Sequence, residues 1–517
     1  MDLSRRQLLA SAGGAGLMAL LAACAGGGSG AAPTATTAAQ GKPVSGGTLR
    51  IGALGRASAI TRDPHGTQAN ESDYLIISLI YDTLTAPGAT DNTAPRLATG
   101  WKADDDVKTW RFTLANGATF HDGTPVTTED AVWSLRRLRA TPSGAARLPG
   151  IKADNIKADG DAVVLTSDYP NADLPLLLRL TTFVLKKGTE DVAGAPGSGP
   201  FKLEWYRDGN ARLVRNDAWH GGKPYLDAIE VKIFESPQAM TNALLGGQID
   251  VASNVGAVAA RTAAGRPDVQ VLRRPDDMAM PIVMRTAEGS PFADPRVREA
   301  LRLAVDREAM VRQVLSGYGK VGNDVLGTGD PAYAKELPQR ARDLARARQL
   351  LQEAGFDLSK TYRLRTTEDI AGLAESAALF ATQVREAGVQ IEVVKEDSGA
   401  FWDRTWLKGD LYTTYWGTND SVLFFASKVM VTGAGQNESA WSDAEFDQVY
   451  KQAVGTLDET ARAQALRKLQ EIQHTRSGYL LWGMADGIDL AGPKVRDLPT
   501  LPGYGRVQLE RAWLARG

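Results

Sequence analysis

One cysteine, Cys24, and four histidines are all that this 517-residue chain holds of the side chains most used for covalent staples and metal sites. A lone cysteine excludes an intramolecular disulfide, so a chain this long has to be held by buried apolar cores. The histidines, His65, His121, His220 and His474, are scattered, without HExxH or paired metal-ligand spacing, so neither a dedicated metal site nor a cofactor is expected. Excess charge of either sign is missing too. The 59 basic and 61 acidic residues are interspersed and sum to a formal net charge of −2, which argues against the clustered basic surface of a nucleic-acid binder. No phosphate-cradling glycine loop ending in Lys-Ser or Lys-Thr is present. Gly197-Ser198-Gly199 is not a nucleophile elbow either, because Pro196 stands where the first glycine of that motif belongs.

The amino-terminal apolar run, residues 8–23, is rich in Gly and Ala and falls short of the roughly 20 apolar residues that a membrane span needs. With Ser4-Arg5-Arg6-Gln7-Leu8-Leu9 before it, it reads as an export signal over residues 1–23. The paired arginines fit a twin-arginine signal and an ordinary secretory signal alike. Leu21-Ala22-Ala23-Cys24 resembles the lipobox of a lipoprotein, in which the cysteine sulfur takes a diacylglyceryl group. Most free cysteines are small core residues, but Cys24 ends an apolar signal and precedes a low-complexity stretch. Residues 24–47, mainly Gly, Ala, Thr, Ser and Pro, cannot bury enough surface to order themselves and read as a tether. Such a linker reaches about 25 Å on average. The expected location is the periplasmic or cell-surface side of a membrane, anchored through Cys24.

Cores stop growing at about 250–300 residues, so the remaining chain should split into two lobes. Leu49, Ile51 and Ala53 alternate, as do Trp110, Phe112 and Leu114, which predicts strands with one buried face. Thr127-Thr128-Glu129-Asp130 predicts the capped start of a helix carrying Ala131, Leu135 and Leu138. Asp294-Pro295 predicts another, and further helices are expected over residues 342–354, 373–387, 443–454 and 459–474. Alternation in Val389, Ile391 and Val393 after a strand at Tyr362 and a helix makes a β-α-β unit, hence an α/β architecture.

Three segments now show a resemblance. Leu97-Ala98-Thr99-Gly100-Trp101, Trp110-Arg111-Phe112-Thr113-Leu114 and Phe120-His121-Asp122-Gly123-Thr124-Pro125 form the first; Gly197-Ser198-Gly199-Pro200-Phe201 with Asn216 is the second. Asp294-Pro295-Arg296-Val297-Arg298-Glu299-Ala300-Leu301 through Val305-Asp306-Arg307 is the third. In order and spacing they resemble the family 5 extracellular solute-binding proteins, which serve ABC importers of dipeptides, oligopeptides, nickel complexes, opines and related solutes. The resemblance implies a two-lobed α/β fold of the class II periplasmic-binding-protein type with an extra sub-domain in lobe one. Residues 48–277 would form lobe one, with the insert at about 63–185, residues 278–486 lobe two, and residues 487–517 the return to lobe one. The chain would cross between lobes near residues 274–280 and 484–489. It also implies a non-enzymatic monomer that captures a peptide, opine or similar solute and hands it to ABC permease subunits. A secreted hydrolase, or a sensor or chaperone on the same fold, is the alternative.

His121-Asp122 invites a catalytic or metal reading, yet Asp-Gly forms turns and no nucleophile or further ligand accompanies the pair. The densest group of rings, Phe401, Trp402, Trp406, Tyr412, Tyr415 and Trp416, suits a ligand cleft, where large amphipathic rings bury apolar parts of a solute. In peptide-binding members of the family, the tryptophan of this segment is followed three residues later by an aspartate that pairs with the peptide ammonium. Here Asn419 holds that place and Asp420 follows it. Trp416, Asn419, Asp420, Tyr415 and Trp402 are therefore the lobe-two candidates for ligand binding. Glu71, Asp73 and Tyr74, in a loop that aligns with a ligand-facing loop of the family, are those of lobe one. Replacing Cys24→Ala should move the chain from the detergent phase to the aqueous phase, or leave its precursor uncleaved. Phase partitioning with metabolic acyl labelling checks this.

Overall fold

Apolar alternation sets the first strand, Thr48–Leu54, in which Leu49, Ile51 and Ala53 are fully buried. It lies between two parallel neighbours, Ala228–Phe234 and Val251–Ala252, and from Ile51 to Leu54 it is buried on both faces where the sequence predicted one. The computed structural model describes residues 41–516 apart from 57–61, 67–70, 89–92, 142–143, 145–146, 180–181, 419, 457 and 501–507. The export signal, Cys24 and Asn419 thus lie outside the described residues.

Among the described residues this strand belongs to a twelve-stranded mixed sheet. At its centre two long strands, Gln270–Met284 and Tyr479–Ala491, pair antiparallel from Gln270 opposite Ala491 to Val283 opposite Tyr479. Beyond one of them lie Val251–Ala252, Thr48–Leu54, Ala228–Phe234, Asn210–Arg215 and Phe201–Arg207; beyond the other lie Leu411–Thr413, Thr361–Thr366 and Gln390–Lys395. Ile51, Leu79, Phe201 and Val231 pack into one core, and Met280, Leu301, Leu350, Phe380 and Trp482 into another. The protein is two-lobed, and the two central strands run through both halves, each longer than the stretch expected for a crossing.

A separate antiparallel sheet of Ala98–Ala103, Thr109–Leu114, Ala162–Ser167 and Ile151–Asp159 packs against helix Thr128–Arg139 around Phe112, Leu135, Leu138, Ile156 and Val163. That helix starts with the capping box read from the sequence: the Thr127 side chain accepts from Asp130 N–H, and the Asp130 carboxylate accepts from Thr127 N–H at 2.8 Å. The β-α-β unit is strand Thr361–Thr366, helix Leu373–Arg385 and strand Gln390–Lys395, with its strands parallel.

The three sequence segments act as fasteners. His121 donates its backbone N–H to Gly197 O at 2.7 Å, and its Nε2 lies 3.0 Å from Gly199 O, while Asp122 accepts from Thr124 N–H at 3.0 Å. A Cβ on Gly197 would sit 1.9 Å from Ile80 O, so only glycine permits this approach. In the third segment Asp294 caps helix Pro295–Ala304. Arg298 and Arg302 on that helix donate to the carbonyls of Phe292, Arg476, Ser477 and Tyr479, fixing the turn from helix Glu459–Arg476 into the second central strand.

Where the strands pass between the halves, the pairing is irregular from Arg274 to Met278. The Arg274 guanidinium, fully buried, donates to Asp277 at 2.9 and 3.1 Å and also to Asp489 and Asn254. Arg274→Met removes the cation from between two buried carboxylates and should destabilise the protein by about 3–5 kcal/mol, read as a lower urea midpoint.

Candidate ligand-binding cleft

Helix Glu71–Ile80 carries the lobe-one candidates. Residues three apart share a helix face and residues two apart do not, so Glu71 and Tyr74 point together while Asp73 points elsewhere. Glu71 accepts from Ser253 Oγ at 2.5 Å, and burial raises its pKa against the pull of that bond and of Arg274. The Tyr74 ring lies 6.3 Å from Phe183, and its phenol, raised by burial, feels the charges of Arg147, Asp420 and Arg179. Asp73 is buried, and its charge acts on Tyr206 inside lobe one. It does not join the cleft group.

From the other half come Tyr415 and Trp416, just after strand Leu411–Thr413. Trp416 and Gly417 pair with Ala279 and Met278 on the first central strand. Tyr415 meets Trp402 edge to face at 5.9 Å, and its phenol, raised by burial, lies within the influence of Asp369 and Glu71. Trp402 Nε1–H donates to Asp369 at 2.9 Å, which fixes the indole. The structure thereby gathers Glu71 and Tyr74 with Trp402, Tyr415, Trp416 and Asp420. Tyr412 and Phe401, grouped with them in the sequence, are core side chains with no exposure: Tyr412 lies on strand Leu411–Thr413, buried at all three positions, and Phe401 packs edge to face on it from the helical turn Phe401–Thr405. Tyr74, Trp402, Tyr415 and Trp416 keep partial exposure.

The orientation of the tryptophans depends on Glu438, a residue that sequence reasoning passed over. Its fully buried carboxylate accepts from Trp406 Nε1 at 2.5 Å, Thr414 Oγ1 at 2.9 Å, Trp416 Nε1 at 3.0 Å and Tyr479 OH at 2.6 Å. Burial raises its pKa, although four donors favour the ionised form. Lys428 covers Trp416 with its Nζ 5.0 Å from the ring centroid. It, too, was missed. So were Arg147 and Arg179, which pair with Asp420 at 3.4 and 3.5 Å. Asp420 thus faces guanidinium groups, where the sequence suggested a partner for a ligand ammonium. Asp173 makes a second link between the halves, accepting from Ser421 Oγ at 3.1 Å and Arg462 at 3.2 Å. Each missed cation did leave a signal, a solitary charge in an apolar run such as Leu-Leu-Leu-Arg179-Leu or Phe-Phe-Ala-Ser-Lys428-Val-Met.

The family model described as bacterial extracellular solute-binding proteins, family 5 Middle, matches residues 92–437. The chain belongs to this family. Family 5 proteins are extracytoplasmic solute-binding proteins rather than enzymes, so the hydrolase alternative is not favoured. Among its relatives, a probable peptide ABC transporter periplasmic-binding protein of Sinorhizobium fredii is 29% identical over 377 residues, 66% of this chain and 69% of that one. The oligopeptide-binding protein AppA of Bacillus subtilis is 26% identical over 522 residues, 92% of this chain and 93% of its own length. The solved structure of AppA, in complex with a nonapeptide, superposes with a TM-score of 0.80 over 92% of this chain and all of that one. At 22% identity this likeness is one of fold.

Glu438→Gln places an amide NH2 against one pair of donors that now share a carboxylate. The expected result is a loss of about 1–3 kcal/mol in urea unfolding together with a changed near-ultraviolet tryptophan signal.

Proposed function

We propose that this protein is the extracytoplasmic solute-binding component of an ABC importer, and that it closes its halves on a small solute between Glu71 and Tyr74 on one side and Trp402, Tyr415 and Trp416 on the other. One observation carries the reading: ligand-suited side chains from both halves converge beside the strand pair that joins them, and Tyr74 and Tyr415 are desolvated there. Aromatic faces bury the apolar part of a solute while few polar groups orient it. The two central strands act as the hinge. Solute that touches both halves shifts the population toward the closed form, which docks on the permease. The named peptide-binding relatives support a peptide-like or related solute. In the sequence, Asn419 and Asp420 follow Trp416 in the same segment. Export through the amino-terminal signal and anchoring through a lipidated Cys24 would hold this monomer beside its permease.

Binding of the transported solute should raise the melting temperature and reduce the radius of gyration without consuming the solute, since a ligand bound only to the folded form stabilises it by mass action. Trp416→Ala should weaken that binding by about thirtyfold, roughly 2 kcal/mol, with the fold retained. Titration calorimetry with small-angle scattering reads both effects. Unchanged affinity in a folded Trp416→Ala variant would remove this segment from the binding wall.

A further inference from the structure

The charges beside Trp416 carry a statement about what the cleft takes. Lys428 sits in the turn Ala426–Met430 among Phe424, Phe425, Val429 and Met430, all buried. Its Nζ lies 5.0 Å from the Trp416 centroid and 4.9 Å from that of Phe424, and the Arg147 guanidinium lies 4.4 Å from the same Phe424 ring. Two cations therefore contact one aromatic ring. Among the described residues no carboxylate comes within ion-pair distance of Lys428. Of the carboxylates nearby, Glu438 already takes four donors beneath the tryptophans, and Asp173 is held by Ser421 and Arg462. Asp420 faces Arg147 and Arg179 at 3.4 and 3.5 Å. Like charges gathered in a desolvated wall repel one another, and an anion placed between them relieves both the repulsion and the missing solvation. A solute with a free ammonium would meet the opposite balance.

We propose that the solute is an organic anion whose acidic group, carboxylate or phosphate, is met by Lys428 and Arg147 and whose apolar body lies on Trp416. This rests on the reading of the Trp416 segment as a wall of the cleft. A pH dependence follows. Burial first, then the charge of Arg147, lowers the Lys428 pKa to about 8, with Asp420 and Glu438 acting the other way. Above that pH the ammonium loses its proton unless an anion holds it there, so anion binding takes up a proton and affinity falls as pH rises through about 8. By the same linkage the folded state binds fewer protons than the unfolded chain between about 8 and the ordinary lysine value. Stability without an anion therefore rises with pH through that window, and Lys428→Met should be at least as stable as the parent.

Four probes test the class on the mature chain by thermal shift and calorimetry: N-acetylphenylalanine, phenyl phosphate, neutral N-acetylphenylalaninamide and cationic phenylalaninamide. Expected is stabilisation by an anion and not by the neutral or cationic probe, at least about tenfold weaker anion binding in Lys428→Met, and loss of the pH dependence near 8 in that variant. Whichever anion binds better separates carboxylate from phosphate. No response to either anion overturns the proposal, as does equal stabilisation by phenylalaninamide or unchanged anion affinity in Lys428→Met. Trp416→Ala separates the two readings. If it binds the anions as the parent does while Lys428→Met does not, the cleft wall is misplaced; if it loses every probe and charge makes no difference, only the anion class falls.

Discussion

A single buried guanidinium holds the place where the two halves meet. Arg274 lies where the central strands lose regular pairing, and it draws Asp277 of its own strand, Asp489 of the partner strand and Asn254 of the neighbouring loop onto one cation. Ladder hydrogen bonds alone would leave this irregular stretch free to slip. Charge-assisted bonds around one planar fork fix its register without stiffening the strands on either side. Glu71 feels the same guanidinium, so the pin of the joint and the edge of the cleft are electrostatically continuous.

The cleft wall is built outward from that joint on a similar principle. Trp416 is tied by its backbone to the first central strand and by its indole to Glu438, which also accepts from Tyr479 at the start of the second. Both crossing strands thus report to one carboxylate behind the aromatic wall. The joint and the rings are thus connected through backbone pairing and one shared carboxylate.

Much of the fold was legible because its signals are local. The capping box at Thr127 and Asp130, the proline-led helix after Asp294 and the β-α-β unit from Thr361 each follow from a few neighbouring residues, and the structure contains all three. The cleft was legible only in part. Density of aromatic residues singled out a segment whose rings the structure packs together, but separating half-exposed Trp416 from buried Tyr412 needed the packing of distant residues around each. The charges that set the electrostatics were out of reach, because Arg147 and Asp420 are 273 residues apart in sequence. A solitary charge in an apolar run announces that a partner exists, not which one.

The order of strands in the large sheet also dictates the order in which the molecule can be assembled. Thr48–Leu54 borders Val251–Ala252, and that short strand in turn pairs with Ala491 and Leu490, near the end of the chain. The half of the sheet that begins first is therefore completed last. The middle of the chain, by contrast, is built from close-set pieces such as the parallel pair Thr361–Thr366 and Gln390–Lys395, whose closure entropy is small. During synthesis the sequence-central half can condense early, while the strands of the amino-terminal half wait for a partner hundreds of residues away and keep an open edge until it emerges.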